Sequence, residues 1–195
     1  MNLQNPKKFK LLIDQAHQVA INVLRPISRK YDKAEHSYPK ELDMLASLVD
    51  GMNEGGEGMN AGAAVGKRGT NEQGNKNGVN LSTALSVIEM CYGDTALLLS
   101  MPRQGLGNSA IAAVANEEQL ERFKNTWAAM AITEPNCGSD SAAIRTTATK
   151  DDEDYILNGE KIFVTSGDRA DAIVVWATLD KKLGRSAIKS FVIPK

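Results

Sequence analysis

Two stretches of this sequence carry residue types that could bind a planar ligand. In the first, residues 131–143 (AITEPNCGSDSAA), a predicted strand ends at Ile132 and Thr133, and Pro135 prevents its ladder of hydrogen bonds from continuing. The Gly-Ser-Asp turn that follows exposes backbone groups and hydroxyls, which suit the edge of a heteroaromatic ring and a phosphate oxygen. Taken alone, the stretch is explained better as an ordinary strand-turn-strand connection.

The second stretch, residues 161–167 (KIFVTSG), predicts another strand end, with Phe163 two positions before Thr165. Side chains at positions i and i+2 of a strand lie on the same side. An aromatic face beside a hydroxyl suits a ring cofactor that must be both stacked and hydrogen-bonded. The two stretches together therefore predict two walls of one cofactor site.

Metal-based and thiol-based chemistry is not predicted. Cys91 and Cys137 lie far apart without CxxC spacing, and only His17 and His36 are available as imidazole ligands. Carboxylates close to Cys137 in sequence disfavour a reactive thiolate, so we interpret this cysteine as a small residue in a tight turn. We expect no metal site, and any redox chemistry would come from a bound organic cofactor.

Other candidate motifs are weak. Two GxGxxA patterns, at residues 56–61 and 105–110, imitate a dinucleotide fingerprint, but neither follows a predicted strand, so chance is favoured. The sequence contains no GxSxG, P-loop or HExxH motif. Glu134 could act as a general base, although for a Glu-Pro corner we favour a carboxylate that accepts hydrogen bonds from the free backbone N–H groups of the turn.

The elements that must position these residues fall into a helical part and a strand-rich part. Residues 1–125 are predicted to form an all-α domain that contains a glycine-rich loop at residues 51–80. Residues 126–195 are predicted to form an incomplete antiparallel β-domain, which makes the protein α+β. The predicted helical segments are 9–24, 39–48, 81–101, 107–115 and 117–124, and the first helix is expected to loosen at Pro26 or near Ser28. The predicted strands are 128–133, 144–150, 155–157, 161–165, 172–179 and 190–193.

The charge and hydropathy of the chain exclude several partners. A formal net charge of -1 over 195 residues gives no electrostatic case for nucleic acid or an anionic membrane. The longest apolar runs, such as residues 172–177, are far shorter than the roughly 20 residues of a membrane helix. We therefore expect a soluble, cytoplasmic protein without a transmembrane segment or a signal peptide.

The combination of motifs resembles the acyl-CoA dehydrogenase family of flavoproteins. The resemblance lies in AITEPNCGSD, in DYILNGEKIFVTSG and in IRTTA at residues 144–148, with support from helical segments such as EMCYGDTALLLS. It implies FAD as the cofactor and oxidation of an acyl-CoA to a trans-2-enoyl-CoA in fatty-acid β-oxidation. It also implies an electron-transfer flavoprotein as acceptor and a homo-oligomer, tetramer or dimer, in the complete enzyme.

The resemblance assigns cofactor contacts to both stretches. Ile132 and Thr133 are expected near the pyrimidine edge of the flavin, and Gly138 and Ser139 near the pyrophosphate. Ser139 is also expected to approach the pantetheine of the substrate. The hydroxyl of Thr165 is expected to reach toward the N5 side of the ring. The full set of expected flavin contacts is Met130, Ile132, Thr133, Gly138, Ser139, Phe163, Val164 and Thr165.

Three departures from the family's pattern bear on function. Phe163 stands where tryptophan is usual, which keeps a stacking face but loses an indole donor, and Cys137 replaces a residue that is usually glycine, alanine, serine or asparagine. The third departure is length, since family members continue into a helical domain that supplies the catalytic glutamate. We therefore expect no catalytic base within the 195 residues, and no activity without a C-terminal half.

Two alternatives stay open at the level of sequence. The chain could be a non-catalytic remnant that binds acyl-CoA or a partner subunit. It could also belong to a related flavoenzyme, because acyl-CoA oxidases, nitroalkane oxidases and some flavin monooxygenases share the helical and β-domain plan. The catalytic position of a completing half would distinguish these reactions, since glutamate there supports dehydrogenation and aspartate or histidine does not.

Overall fold

The computed structural model describes residues 7–35, 37–54, 79–102 and 106–195, which form two compact units. The helical unit ends at Pro102, and the sheet unit contains the residues described from Leu106 onward. Composition predicts a boundary at residue 125, but two short helices before that point group with the sheet. The physical reason is that Asn108 of the first helix bonds to the start of the first strand, and Phe123 of the second packs against the cluster that contains Ala128.

In its described residues, the helical unit contains four α-helices around one core. They are α1 (Lys10–Val19), α2 (Arg25–Lys33), α3 (Lys40–Glu54) and α4 (Val79–Leu99). Their buried side chains recur at helical spacing, as the sequence predicts. The core consists of Ala16, Leu24, Leu42, Leu45, Met90, Leu97, Leu98 and Met101.

The loosening predicted at Pro26 or near Ser28 is absent there, since both residues lie in regular α-helix. Instead a π-helical turn, Ala20–Leu24, joins α1 to α2, and the N–H of Arg25 donates to the carbonyl of Ala20. This wider turn places the proline at the start of the next α-helical segment, where its missing N–H costs least. The helix therefore continues to Lys33.

Helix α4 changes direction at Asp94, whose φ of -171° and ψ of 120° are extended rather than helical. Its carboxylate accepts the backbone N–H of Leu97 at 2.9 Å and the hydroxyl of Ser28 at 2.5 Å. The first bond caps the helical turn that follows, and the second ties the kink to α2. Specific hydrogen bonds therefore account for the kink.

The sheet unit begins with two helices, α5 (Leu106–Val114) and α6 (Glu117–Phe123), as the sequence predicts. Its strands are β1 (Ala128–Ala131), β2 (Thr147–Asp151), β3 (Asp154–Asn158), β4 (Ala172–Thr178) and β5 (Ile188–Pro194). Strand β2 pairs antiparallel with β3.

Strand β4 is the centre of the sheet, which is mixed. It pairs antiparallel with β5, and on its other edge it pairs parallel with β1 and, at Thr178, with β2. The prediction of an antiparallel sheet is therefore wrong for β1 and for the junction of β2 with β4. The long connections between these strands allow the crossovers that parallel pairing requires.

Among the described residues, the predicted strand over residues 161–165 does not form. Residues 159–164 have no regular secondary structure, and a turn begins at Thr165. Phe163 and Ser166 have φ values of 56° and 57°, in the left-handed region, which a strand cannot contain. Phe163 and Thr165 therefore do not share a strand face.

The glycine-rich loop predicted over residues 51–80 lies largely outside the described residues. Its first positions, 51–54, continue α3, and its last two belong to α4. No helix in the described ranges is both long enough and apolar enough to cross a membrane.

Candidate flavin site

Glu134 lies just after β1 and is 5% exposed. Its Oε1 accepts hydrogen bonds from the N–H and the hydroxyl of Thr146, at 2.9 and 2.6 Å, and from Nζ of Lys161 at 2.8 Å. Its Oε2 accepts the backbone N–H of Arg145 at 2.6 Å. The carboxylate of Glu134 therefore accepts hydrogen bonds, as the sequence predicts, but the predicted donors are wrong: they belong to Arg145, Thr146 and Lys161 rather than to the N–H groups of the turn.

The same contacts set the charge of Glu134. Burial raises the pKa of its carboxyl, but the ammonium of Lys161, the hydroxyl of Thr146 and nearby backbone N–H groups lower it more, so the pKa falls from 4.5 to about 2. The carboxylate is therefore ionised at neutral pH and accepts a proton poorly. A general base needs a pKa near the working pH, so Glu134 is unsuited to that role.

Lys161 joins the two candidate stretches. Its side chain is 9% exposed, and its Nζ also donates to the backbone carbonyl of Ile132 at 2.9 Å. The neighbouring N–H of Ile162 donates to the carbonyl of Thr133 at 2.9 Å. The two stretches are therefore adjacent, as the sequence predicts, but hydrogen bonds between irregular segments hold them together rather than two strand ends.

The predicted flavin-contacting residues of the first stretch lie along one continuous segment. Met130 belongs to β1, and Ile132 and Thr133 follow it; all three are half-buried, whereas Gly138 and Ser139 are exposed. Within the described part of the chain, the hydroxyls of Thr133 and Ser139 take part in no hydrogen bond. These hydroxyls keep their full capacity for a ligand.

The second stretch contains an exposed aromatic residue. Val164 and Thr165 are half-buried, and Val164 packs against the cluster that contains Trp127 and Ala129. Phe163, by contrast, is 87% exposed. Its φ of 56° is costly for a residue with a side chain. Residues held in such strained backbone conformations cluster at active sites and ligand-binding sites, so Phe163 is a candidate for contact with a ligand.

Two residues of this site, Lys161 and Thr146, are not singled out by the motifs alone. A signal for Lys161 does exist, because it is the only cation between Lys150 and Arg169 and it precedes an apolar run. A buried carboxylate needs a paired charge and hydrogen-bond donors, so a glutamate after an apolar strand calls for such a cation. No comparable signal marks Thr146, which is one of several threonines near β2.

The GxGxxA pattern at residues 105–110 serves packing. A Cβ added at Gly107 would lie 2.2 Å from the carbonyl oxygen of Ala128. Asn108 is buried, accepts the N–H of Ala128 at 2.9 Å and donates to the carbonyl of Thr126 at 2.6 Å. These contacts dock α5 on the start of β1. The similar pattern at residues 56–61 lies outside the described residues.

Gly159 provides a test of the contacts around Glu134. Its φ is 157°, and an added Cβ would lie 2.4 Å from the hydroxyl oxygen of Thr146 and 2.6 Å from the Cα of that residue. We expect Gly159→Ala to displace Thr146 from Glu134 and to lower the free energy of unfolding of the sheet unit by about 2 kcal/mol. Urea unfolding followed by tryptophan fluorescence measures this loss, because Trp127 and Trp176, both in the sheet unit, are the two tryptophans of the chain.

Gly138→Ala is the matched control, because a Cβ there meets no atom closer than 3.9 Å. We expect its free energy of unfolding to stay within about 0.5 kcal/mol of the parent value. Equal losses in the two glycine variants would contradict the close approach of Gly159 to Thr146.

The histidines and cysteines of the chain are further residues that could act as metal ligands or nucleophiles. Nδ1 of His17 lies 2.8 Å from a carboxylate oxygen of Glu89 in the helical unit, and His36 lies outside the described residues. Cys91 and Cys137 are free thiols. Across the described ranges, no group of three His, Cys, Asp or Glu side chains could hold a metal ion.

Comparisons with known proteins bear on the origin of this arrangement. Residues 129–195 match the acyl-CoA dehydrogenase middle domain. The chain is 32% identical over 202 residues to a cyclohex-1-ene-1-carbonyl-CoA dehydrogenase of Syntrophus aciditrophicus, with 95% of this chain and 43% of that protein covered. It is 30% identical over 203 residues to a short-chain-specific acyl-CoA dehydrogenase of Clostridium acetobutylicum, with 100% and 50% covered.

A solved structure shows the same fold. The three-dimensional structure of butyryl-CoA dehydrogenase from Megasphaera elsdenii matches the whole chain with a TM-score of 0.73 and 26% identity, and 50% of that structure is covered. The chain spans about half the length of the curated relatives it matches. Both motif stretches fall inside the matched middle domain, and the helices and the mixed sheet agree with the solved structure. The chain therefore belongs to the acyl-CoA dehydrogenase family.

Proposed function

We propose that this chain binds FAD along residues 130–139 and 163–165 and takes part in the α,β-dehydrogenation of an acyl-CoA to a trans-2-enoyl-CoA. The names of two relatives, an acyl-CoA dehydrogenase and a butyryl-CoA dehydrogenase, support this reaction class. FAD, when bound, supplies the acceptor for the hydride that leaves the β-carbon. The residues of this chain bind and orient that cofactor.

The exposed ring of Phe163 carries the proposal. It presents an aromatic face, 87% exposed, on a backbone with a φ of 56°. Such strain persists where a functional site requires it. A flavin ring is planar and aromatic, so stacking on Phe163 would bury both surfaces. The nearby hydroxyl of Thr165, which makes no hydrogen bond within the described residues, suits the N5 side of the ring.

The first stretch would supply N–H groups and hydroxyls rather than carbonyls. The carbonyl of Ile132 already accepts from Lys161, and that of Thr133 accepts from Ile162. The N–H and hydroxyl of Thr133 are left to donate to the carbonyl oxygens of the pyrimidine edge. The exposed Ser139 is placed for the pyrophosphate and for the pantetheine of the substrate.

We assign the base that removes the α-proton to a region beyond these residues. Glu134, the buried carboxylate of the site, has a pKa of about 2 and hydrogen bonds on both oxygens. A helical half that supplies a glutamate would complete the enzyme, and we expect no dehydrogenation by the 195 residues alone. An electron-transfer flavoprotein as acceptor, a homo-oligomeric state, a role in fatty-acid β-oxidation and a cytoplasmic location complete the proposal.

Titration of FAD with the 195-residue chain tests the cofactor assignment. We expect saturable quenching of flavin fluorescence and a yellow protein after gel filtration. Phe163→Ala is expected to raise the dissociation constant about tenfold, because loss of an aromatic stacking partner costs on the order of 1 kcal/mol. Phe163→Trp keeps the stacking face and should bind FAD at least as tightly as the parent.

Leu183→Ala is the control for loss of an exposed apolar side chain, since Leu183 is 63% exposed in the connection between β4 and β5. It should leave the FAD affinity unchanged. A colourless chain that quenches no flavin fluorescence would contradict the FAD assignment. An unchanged affinity in Phe163→Ala would contradict the stacking role of Phe163 alone.

A further inference from the structure

We propose that Lys161 is a positioning residue for the flavin: by holding the carbonyl of Ile132, it directs the N–H of Thr133 toward the cofactor. This inference rests on the proposed function. The carbonyl and the N–H belong to the same peptide unit, which is planar and trans. The two groups point in opposite directions, so a bond that fixes one also fixes the direction of the other.

Contacts with Glu134 and Ile132 fix the position of the Lys161 ammonium group. Its Nζ lies 2.8 Å from Glu134 and 2.9 Å from the carbonyl oxygen of Ile132. Glu134 is in turn held by the backbone N–H groups of Arg145 and Thr146, at 2.6 and 2.9 Å. The Lys161 side chain is 9% exposed, so water competes little for these bonds. The chain of contacts runs from fixed backbone groups to the Ile132 carbonyl.

The N–H of Thr133 is one group of this segment that donates to no acceptor among the described residues. Its own carbonyl accepts from Ile162, and the next N–H along the chain, that of Glu134, donates to the carbonyl of Cys137 at 2.9 Å. Within the described residues, no acceptor receives the Thr133 N–H. An N–H that no protein acceptor receives, in a segment whose neighbouring groups are already bonded, is a donor that a ligand can use.

The hydrogen bond to the carbonyl of Ile132 distinguishes Lys161 from a lysine that only forms a buried ion pair. A buried pair alone is weak evidence for a functional or stabilising role, because apolar replacements are often neutral. Lys161 instead divides its donors between a carboxylate and a backbone carbonyl that lies in the first cofactor stretch. Its removal should therefore change the direction of a peptide group as well as the stability of the fold.

The test compares Lys161→Met with Lys161→Arg and with Lys150→Met, the matched change at an exposed lysine of β2. In the FAD-free chain, amide hydrogen exchange at Ile162 is expected to be about tenfold faster in Lys161→Met, since the neighbouring bridge is loosened. With FAD, the dissociation constant should rise about tenfold and the visible spectrum of the bound flavin should shift toward that of free FAD. Lys161→Arg should restore most of the affinity and the spectrum, and Lys150→Met should match the parent in both.

Unchanged exchange at Ile162 in Lys161→Met would overturn the inference whether or not FAD binds. Faster exchange with an unchanged FAD affinity and spectrum would also overturn it, because Lys161 would then serve the fold alone. A parent chain that binds no FAD would contradict the proposed function, and the exchange at Ile162 would still decide whether Lys161 holds this segment.

A second variant guards against loss of folding. Lys161→Met leaves the Glu134 carboxylate buried without its cation, and such a loss can unfold a domain. The double variant Glu134→Gln, Lys161→Met removes both charges. It should fold and still show the weakened FAD affinity, because the Ile132 carbonyl lacks its donor in either case. A double variant with the affinity of the parent would overturn the inference.

Discussion

Gly107→Ala is expected to lower the free energy of unfolding of the sheet unit by about 3 kcal/mol or more. An added Cβ would lie 2.2 Å from the carbonyl oxygen of Ala128 and 2.4 Å from that of Ala129. Both contacts are with backbone atoms, so relief requires that α5 move away from β1. That movement would also lengthen the two hydrogen bonds of Asn108. Urea unfolding with tryptophan fluorescence measures the loss.

The sign of this effect is diagnostic. Within a helix, replacement of glycine by alanine ordinarily stabilises by about 1 kcal/mol, because alanine has the higher helix propensity. Ser109→Ala, at the exposed position two residues along in the same helix, should show that ordinary behaviour with a small gain in stability. A Gly107→Ala variant as stable as the parent would contradict the close packing of α5 on β1.

The second large effect is a pH-dependent contribution of Glu134. Its pKa is lowered from 4.5 to about 2 in the folded chain, so its stabilising contribution is fully present above the unfolded value and is lost as the pH falls toward 2. The lowering of the Glu134 pKa from 4.5 to about 2 corresponds to a stabilisation of the folded chain by about 3 kcal/mol. Glu134→Gln is therefore expected to be about 3 kcal/mol less stable than the parent at pH 7.

Urea unfolding of both proteins at pH 7, 4.5 and 3 separates this contribution from those of other carboxylates. The difference in the free energy of unfolding between the parent and Glu134→Gln should be largest at pH 7 and should shrink steadily below pH 4.5. Protonation makes Glu134 neutral, so that it then resembles the neutral glutamine of the variant. Asp168→Asn, at an exposed carboxylate of the same unit, should show no such trend. A difference that is constant with pH would contradict the ionised, hydrogen-bonded state of Glu134.

The sequence predicts the helices and most strands because their signals are local. Apolar residues at helical spacing mark α1 and α4. The run at residues 172–178 is rich in Val and Ile, which favours a strand. The turn after β1 is also readable, since Pro135 and the Gly-Ser-Asp sequence restrict the backbone. In these segments the local preference and the final structure agree.

Longer-range features are not readable in the same way. Parallel pairing of β1 with β4 joins segments that lie far apart in the sequence, and no local residue encodes it. The strand predicted over 161–165 fails because Phe163 adopts a positive φ against its own preference. The same interval contains Lys161, whose ammonium group loses hydration because it is buried beside Glu134. Departures of this kind, in which the final structure overrides local propensity, are expected at functional sites.

The contacts of Asn108 decide where this polypeptide can be divided. A cut at residue 125, where the composition changes, would separate the amide of Asn108 from Thr126 and Ala128. Strand β1 would then lose the helix α5 that packs on its start. A cut just before α5 keeps these partners in one piece. The structural module is thus longer at its N-terminal side than the strand-rich region, and an evolutionary exchange of this module between relatives would have to carry α5 and α6 with it.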